Sequence, residues 1–112
     1  MLTLAQARVT GNDVSSHYHP DTNKAQILSA RELNGIVFLS IRVLAGTASD
    51  ATNSIITADM GYEPKISGYI GLVSSTAVAN LKVNPIQWAN GFKYRGTTES
   101  ADQLGTIVFP IE

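Results

Sequence analysis

Asn34 to Leu44 reads NGIVFLSIRVL, and the reading of this stretch decides the fold. Ile36 to Leu44 is rich in β-branched and aromatic residues and too short between turn signals for a stable helix, so it is expected to be a largely buried strand. Asn-Gly in front of it is the strongest short hairpin signal, because both residues tolerate the positive φ that a tight two-residue turn demands. Gln26 to Leu33 therefore becomes its antiparallel neighbour.

Outward from this hairpin the pattern repeats. Ser54–Ala58, Ile66–Ser74, Val78–Val83, Gln87–Phe92 and Leu104–Ile111 are further strand candidates, and turn groups fall between them at 46–50, 60–64, 84–85 and 90–91. No window holds a 3.6-residue apolar period for three turns. Short strands at intervals of about ten residues predict an all-β domain, a jelly-roll-like antiparallel β-barrel or sandwich.

Composition narrows the function. The chain has 112 residues, 8 Lys and Arg against 9 Asp and Glu, and no cysteine. One core is affordable at this length, and with no internal repeat, low-complexity tract or linker a boundary can lie only near the N-terminus. Near-neutral charge without a basic block argues against nucleic acid as partner, since phosphate binding needs clustered cations. Disulfides and thiolate-bound zinc are excluded. The apolar runs are far shorter than the roughly 20 residues of a membrane helix, and MLTLAQARV lacks the layout of a secretion signal.

The N-terminus differs from the rest. In Leu2 to Val14 small apolar residues alternate with polar ones, and polar residues then dominate to Lys24. So thin an apolar face does not sustain a lone strand, which points to packing against another chain.

Catalytic patterns are mostly missing. There is no GxSxG elbow and no cysteine nucleophile, and the acids fall in turn-like segments where solvation is their ordinary state. No enzyme is expected; a sugar-processing role for Glu99 or Asp102 beside Trp88 is a remote alternative. His17-Tyr18-His19 puts two imidazoles on one face if extended, with Asp21 continuing it. Such a trio would suit a transition metal; the plainer reading is a polar surface segment, and no metal or cofactor is expected.

The chemistry-bearing stretch is NLKVNPIQWANGFKYRG, Asn80 to Gly96, which holds the single tryptophan. Strand alternation points Leu81 and Val83 inward and Asn80 and Lys82 outward, with Asn84-Pro85 turning the chain. Ile86, Trp88 and Asn90 then share a face. A tryptophan in a small β-domain favours burial, yet Asn80, Lys82, Lys93, Tyr94 and Arg95 beside Trp88 could line one shallow groove. An aromatic plate among amides and cations is a common way to hold a polyol or a phosphate.

Over Gln26 to Glu112 the chain resembles the C-terminal head domain of receptor-binding proteins from the baseplates of lactococcal tailed phages. The resemblance rests on NGIVFLSIRV, then GYEP (Gly61–Pro64) with ISGYIGLVS behind it, then NLKVNP (Asn80–Pro85) with a tryptophan soon after, and the closing strand GTIVFPIE. It implies a jelly-roll-like β-barrel head, residues 25–112, assembled as a homotrimer on an interlaced neck or linker whose end is residues 1–24, carried on the virion at the distal end of the tail. Its N-terminal region would meet other baseplate proteins. The implied ligand is a host cell-wall saccharide, often phosphate-containing, bound in shallow sites near subunit boundaries.

Family sites combine a Trp with His, Asp and Arg; Trp88 matches the first and Arg95 is the candidate for the last. Asn80 and Lys82 stand where relatives alternate His and Asp, so an anionic or differently hydroxylated ligand is implied. The rival expectation is a structural phage tail or capsid β-domain that contacts only proteins, with Trp88 at an interface.

Overall fold

The computed structural model describes residues 11–77 and 81–112. Nine strands form one antiparallel sheet: β1 (Asn12–Asp13), β2 (Tyr18–Pro20), β3 (Ala25–Leu33), β4 (Ile36–Val43), β5 (Ile56–Ala58), β6 (Gly68–Ser75), β7 (Val83–Trp88), β8 (Phe92–Tyr94) and β9 (Gln103–Pro110). Their order across the sheet is β1-β3-β4-β9-β6-β7-β8-β5-β2. The sheet curls into a half-barrel, which fits the barrel side of the expectation. A 3-10 turn at Ser15–His17 leads into β2, and the described residues contain no α-helix.

The hairpin at the centre forms as its sequence dictates. Asn34 and Gly35 take φ values of 51° and 79°, the positive pair of a two-residue turn whose twist matches the flanking strands. Glu32 Oε1 accepts from the Gly35 amide at 2.7 Å and secures the corner. Along β4, Val37, Leu39, Ile41 and Val43 are fully buried, whereas Phe38 is 43% exposed. The strand is thus buried on one face, not largely on both. Its alternation continues into β9, where Ile107 and Phe109 point in and Leu104 and Val108 point out.

The core is aromatic at its centre. Phe92 meets Trp88 edge to face, with ring centroids 4.8 Å apart, and touches Phe109 at 5.5 Å and Tyr18 at 6.3 Å. Each such side chain contributes roughly 1.5–3 kcal/mol by leaving water, and well-oriented ring pairs add about 0.5–1.5 kcal/mol. Tyr18 and Val14 belong to this core, and β1 and β2 pair with β3 and β5. Residues 12–20 are therefore part of the barrel, although the expected neck ran to residue 24. Residues 1–10 of that neck lie outside the described residues.

The largest departure is at Asn84-Pro85, expected to turn the chain. Both residues lie inside β7, which runs unbroken from Val83 to Trp88. Proline is tolerated because β8 ends at Tyr94: the Pro85 carbonyl accepts from the Arg95 amide at 3.2 Å, while the missing Pro85 donor faces the place where that ladder stops. The face assignment changes with it. Leu81 and Val83 are 64% and 53% exposed, not inward, and Asn84, Ile86 and Trp88 form the buried face. Val83 pairs with Ser74 on the outer side of β6, which fixes this register.

The pairing gives the half-barrel two distinct ends. β1, the Asn34-Gly35 corner and Ile111–Glu112 share the lower end, where the Ile111 amide donates to the Gly35 carbonyl. At the upper end β4, β6 and β8 finish and β7 and β9 begin. Three connections start there, after β4 (residues 44–55), after β8 (95–102) and after β6, of which 76–77 and 81–82 are described.

Candidate functional site

The residues expected to line one groove are divided by the structure. Trp88 is 8% exposed and points into the core; Tyr94 is fully buried on the same face. The indole therefore offers no plate to solvent. Lys93 points to the other side of β8, yet is nearly buried, its Nζ donating to the Ala89 carbonyl. Arg95 is tied to the outer surface, Nη1 donating to Gln87 Oε1 at 2.9 Å and Nε to Ser49 Oγ at 3.4 Å. Lys82 lies at the upper end. Asn80 falls outside the described residues.

The histidines meet a different carboxylate from the one expected. His17 Nδ1 lies 3.1 Å from Asp59 Oδ2 and His19 Nε2 lies 2.8 Å from Asp59 Oδ1, while Asp21 pairs loosely with Lys24 at 3.9 Å. The His17 ring also stacks on Tyr62 at 3.8 Å. The hydrogen bonds from His19 and then His17 hold the Asp59 carboxyl below its ordinary range. Asp59 thus ties β2 and its leading turn to the end of β5, near the lower end. Among the described residues no group of His, Cys, Asp and Glu is arranged to hold a metal ion.

What converges at the upper end is a polar network. Asn84 is 4% exposed; its Nδ2 donates to Gln103 Oε1 at 2.7 Å and to Glu99 Oε2 at 3.1 Å, and its Oδ1 accepts from the Thr97 amide at 2.9 Å. Gln103 Nε2 donates to the Tyr94 hydroxyl at 3.0 Å, and that hydroxyl donates to the Thr97 carbonyl. A hydroxyl has one proton to give, and with Oδ1 already served by the Thr97 amide, that of Thr97 goes to Glu99 Oε2. Every link is thereby satisfied, the condition under which a buried polar cluster adds rigidity.

This network holds the 95–102 connection against the barrel rim. The close approach of Asn84 needs Gly96, since a Cβ there would overlap the Asn84 side chain. Asp102 secures the neighbouring loop: its Oδ1 accepts from the Ala45 amide at 2.8 Å, and Arg42 Nη1 stands 3.6 Å from Oδ2. Thr76 donates through both its amide and its hydroxyl to the Asp102 carbonyl, fixing the start of the 76–82 connection.

Between the two connections opens a groove of about 190 Å³ lined by Ser75, Ala77, Lys82, Glu99, Ser100 and Ala101. The Thr97 hydroxyl, the Asn84 amide and, more weakly, the Lys82 charge keep the Glu99 carboxyl below its ordinary pKa. Near neutral pH a fixed anion and a flexible cation therefore border one small cavity, with two hydroxyls beside them. Drug-sized ligands occupy about 300–1,000 Å³, so this groove suits a single ring or short polar group.

A larger depression of about 600 Å³ follows the seam between β2 and β3, past Tyr18, Pro20, Ile27 and Arg31. It arises where the two sides of the curled sheet approach without pairing. Asp13 there accepts from the Ser15 amide at 3.0 Å, and Ser16, Thr22, Gln26 and Arg31 add polar groups along the seam.

Of the groove and its support, Lys82 and Tyr94 were expected as ligand contacts, Tyr94 lying in the buried support, and Glu99 and Asp102 entered only in the remote catalytic reading. Asn84 was hidden by its reading as a turn. Thr97 and Glu99, a hydroxyl and a carboxylate two residues apart, and Gln103 at the head of an apolar strand were the available signals.

Fold and site together describe an all-β half-barrel that carries a fixed polar groove at the end opposite β1. No protein-family model, no curated protein and no solved structure matches the chain.

Proposed function

We propose that this chain is the adhesive head of a phage tail baseplate protein, recognising a saccharide of the host cell wall through the groove at its upper end. The observation that carries this reading is that Lys82 and Glu99 line one cavity sized for one sugar unit, far from β1. A donor cation, an acceptor carboxylate and hydroxyls match the alternating donors and acceptors of a sugar ring. Small alanines at 77 and 101 leave room for its C–H surface.

In this reading the region leading into β1 joins the head to the neck and to other baseplate proteins, and the head works as a homotrimer at the distal end of the tail. One shallow site binds weakly; linking sites raises avidity by roughly 10²–10⁴. Neither a catalytic residue nor a cofactor is needed for adhesion.

The test is retention of purified lactococcal wall polysaccharide, and of intact cells, by the immobilised protein. Lys82→Ala and Glu99→Ala should each reduce retention severalfold while the fold is kept. Retention that neither substitution touches would remove the site from this groove.

A second reading has its own support. Phe38, Leu72, Val83, Leu104 and Val108 are 38–57% exposed on the outer face of β4, β9, β6 and β7. Such a face suits a structural tail or capsid β-domain that binds only proteins. Under that reading the protein self-associates or binds a protein partner and ignores wall polysaccharide altogether.

A further inference from the structure

The groove carries a more specific assignment, which rests on the adhesive reading above. Glu99 is gripped by one oxygen. Oε2 accepts from Asn84 Nδ2 and from the Thr97 hydroxyl, whereas Oε1 has no hydrogen-bond partner among the described residues. Oε2 is thus held against the rim, and Oε1 of this groove-lining residue is left to accept from a ligand. Its direction is set before any ligand arrives.

Lys82 supplies the complementary half. It is exposed and lines the same groove, with three donors and no acceptor on Nζ. Ser75 Oγ accepts from the Ala77 amide at 3.1 Å, which leaves its own proton to give. An acceptor fixed in place, a mobile cationic donor and a hydroxyl together define what can sit among them.

We propose that the groove binds the vicinal hydroxyls of a neutral pyranose, Glu99 Oε1 accepting from one hydroxyl and Lys82 Nζ donating to the next. Neighbouring ring hydroxyls lie close enough for one to act as donor while its neighbour accepts, which is the pattern these two side chains present. A phosphate is rejected. It has no proton for Oε1 to accept near neutral pH, and it would set its charge against an ionised carboxylate that the Asn84 and Thr97 bonds prevent from turning away. The single lysine only offsets the carboxylate. The phosphate-containing unit implied by the family resemblance is thus not the part this groove holds; a neutral ring of the same wall polymer is.

The experiment follows the amides of Ser75, Ala77, Ser100 and Ala101 in the whole protein by two-dimensional NMR. Methyl glucoside, methyl galactoside and methyl phosphate, which has no ring hydroxyls, are titrated separately. A neutral glycoside should shift these signals with a millimolar Kd, and methyl phosphate should bind about tenfold more weakly or worse. Glu99→Gln keeps an acceptor for Asn84 and Thr97, so the rim stays folded; it should weaken the glycoside and abolish the discrimination. Lys82→Met, at an exposed position, should weaken the glycoside without restoring phosphate.

Tighter binding of methyl phosphate, an unchanged ratio in Glu99→Gln, or silence of the groove signals with both glycosides overturns the assignment. Polysaccharide retention is measured on the same samples. Polysaccharide held while the groove stays silent overturns the diol assignment alone. Polysaccharide not held at all overturns the adhesive reading as well.

Discussion

The side-chain amide of Asn84 donates to Gln103 Oε1 at 2.7 Å inside the barrel rim, joining β7 to β9 across the interior where no backbone ladder connects them. The same nitrogen reaches Glu99, and the Asn84 oxygen takes the Thr97 amide. Asn84→Ala would strand Gln103 Oε1 and the Thr97 amide, while Glu99 keeps the Thr97 hydroxyl. Leaving buried polar groups unpaired costs about 1–3 kcal/mol each, partly recovered by water at the rim, so a loss of about 2–4 kcal/mol is expected. Urea denaturation measures it. Thr97→Val, which removes only the hydroxyl bond to Glu99, should cost clearly less; equal losses would mean that Asn84 acts through packing alone.

Trp88 is predicted to report the core and not the ligand. With 8% exposure and an edge-to-face contact to Phe92, its emission should be blue-shifted in the native protein and move red only on unfolding. Wall polysaccharide should leave the spectrum unchanged. Trp88→Ala should cost about 3–5 kcal/mol, as large aromatic truncations in cores do, and weaken adhesion only through loss of folded protein. A spectral response to saccharide under native conditions would return the site to the indole.

The strands were legible where one face carried contrast. NGIVFLSIRV announced both its turn and its alternation, and GTIVFPIE its edge-to-edge partner in kind if not in position. VANLKVNPIQW was misread because its apolar residues fall on both parities. Leu81 and Val83 suggest one inward set, while Ile86 and Trp88 demand the other, and the larger side chains prevail. Proline then lent false weight to a turn. The groove was less legible still, since Ser75, Lys82 and Glu99 meet only through the order β9-β6-β7 and the 95–102 connection, neither of which leaves a local sequence signal.

Acid should loosen the long connection after β4. Asp50 Oδ1 accepts from the Thr52 and Asn53 amides at 2.8 and 2.9 Å, and Oδ2 from Asn53 Nδ2 at 2.9 Å. The Asn53 amide, the Asn53 side chain and the Thr52 amide, in that order, pull the carboxyl down to about 2. A depressed acid stabilises the fold above its unfolded pKa, here near 3.8, and that contribution vanishes as pH falls through the folded value. Asp59, lowered by His19 and His17, acts in the same direction. Thermal midpoints of wild type and Asp50→Asn should therefore differ at pH 5 and converge toward pH 2. A gap that persists unchanged at pH 2 would show that the carboxylate charge is not its source.

The outer face makes the last prediction. Phe38 on β4 sits directly opposite Val108 on β9, and Leu104, Leu72 and Val83 extend the same face across β6 to β7. At their exposures these side chains leave on the order of 400 Å² of apolar surface, within the about 300–600 Å² of the largest patch on a typical monomer. A standard interface takes about 800 Å² from each partner and is a little over half apolar, so this patch supplies most of what one subunit contact needs. A second copy is the expected occupant. Light scattering at micromolar concentration should give an oligomeric mass for wild type, and the paired substitutions Phe38→Ser and Val108→Ser should lower it to that of one chain. Both are surface positions, so the circular dichroism of the variant should match wild type. A monomeric wild type, or an oligomer indifferent to both serines, would exclude this face as the contact between copies.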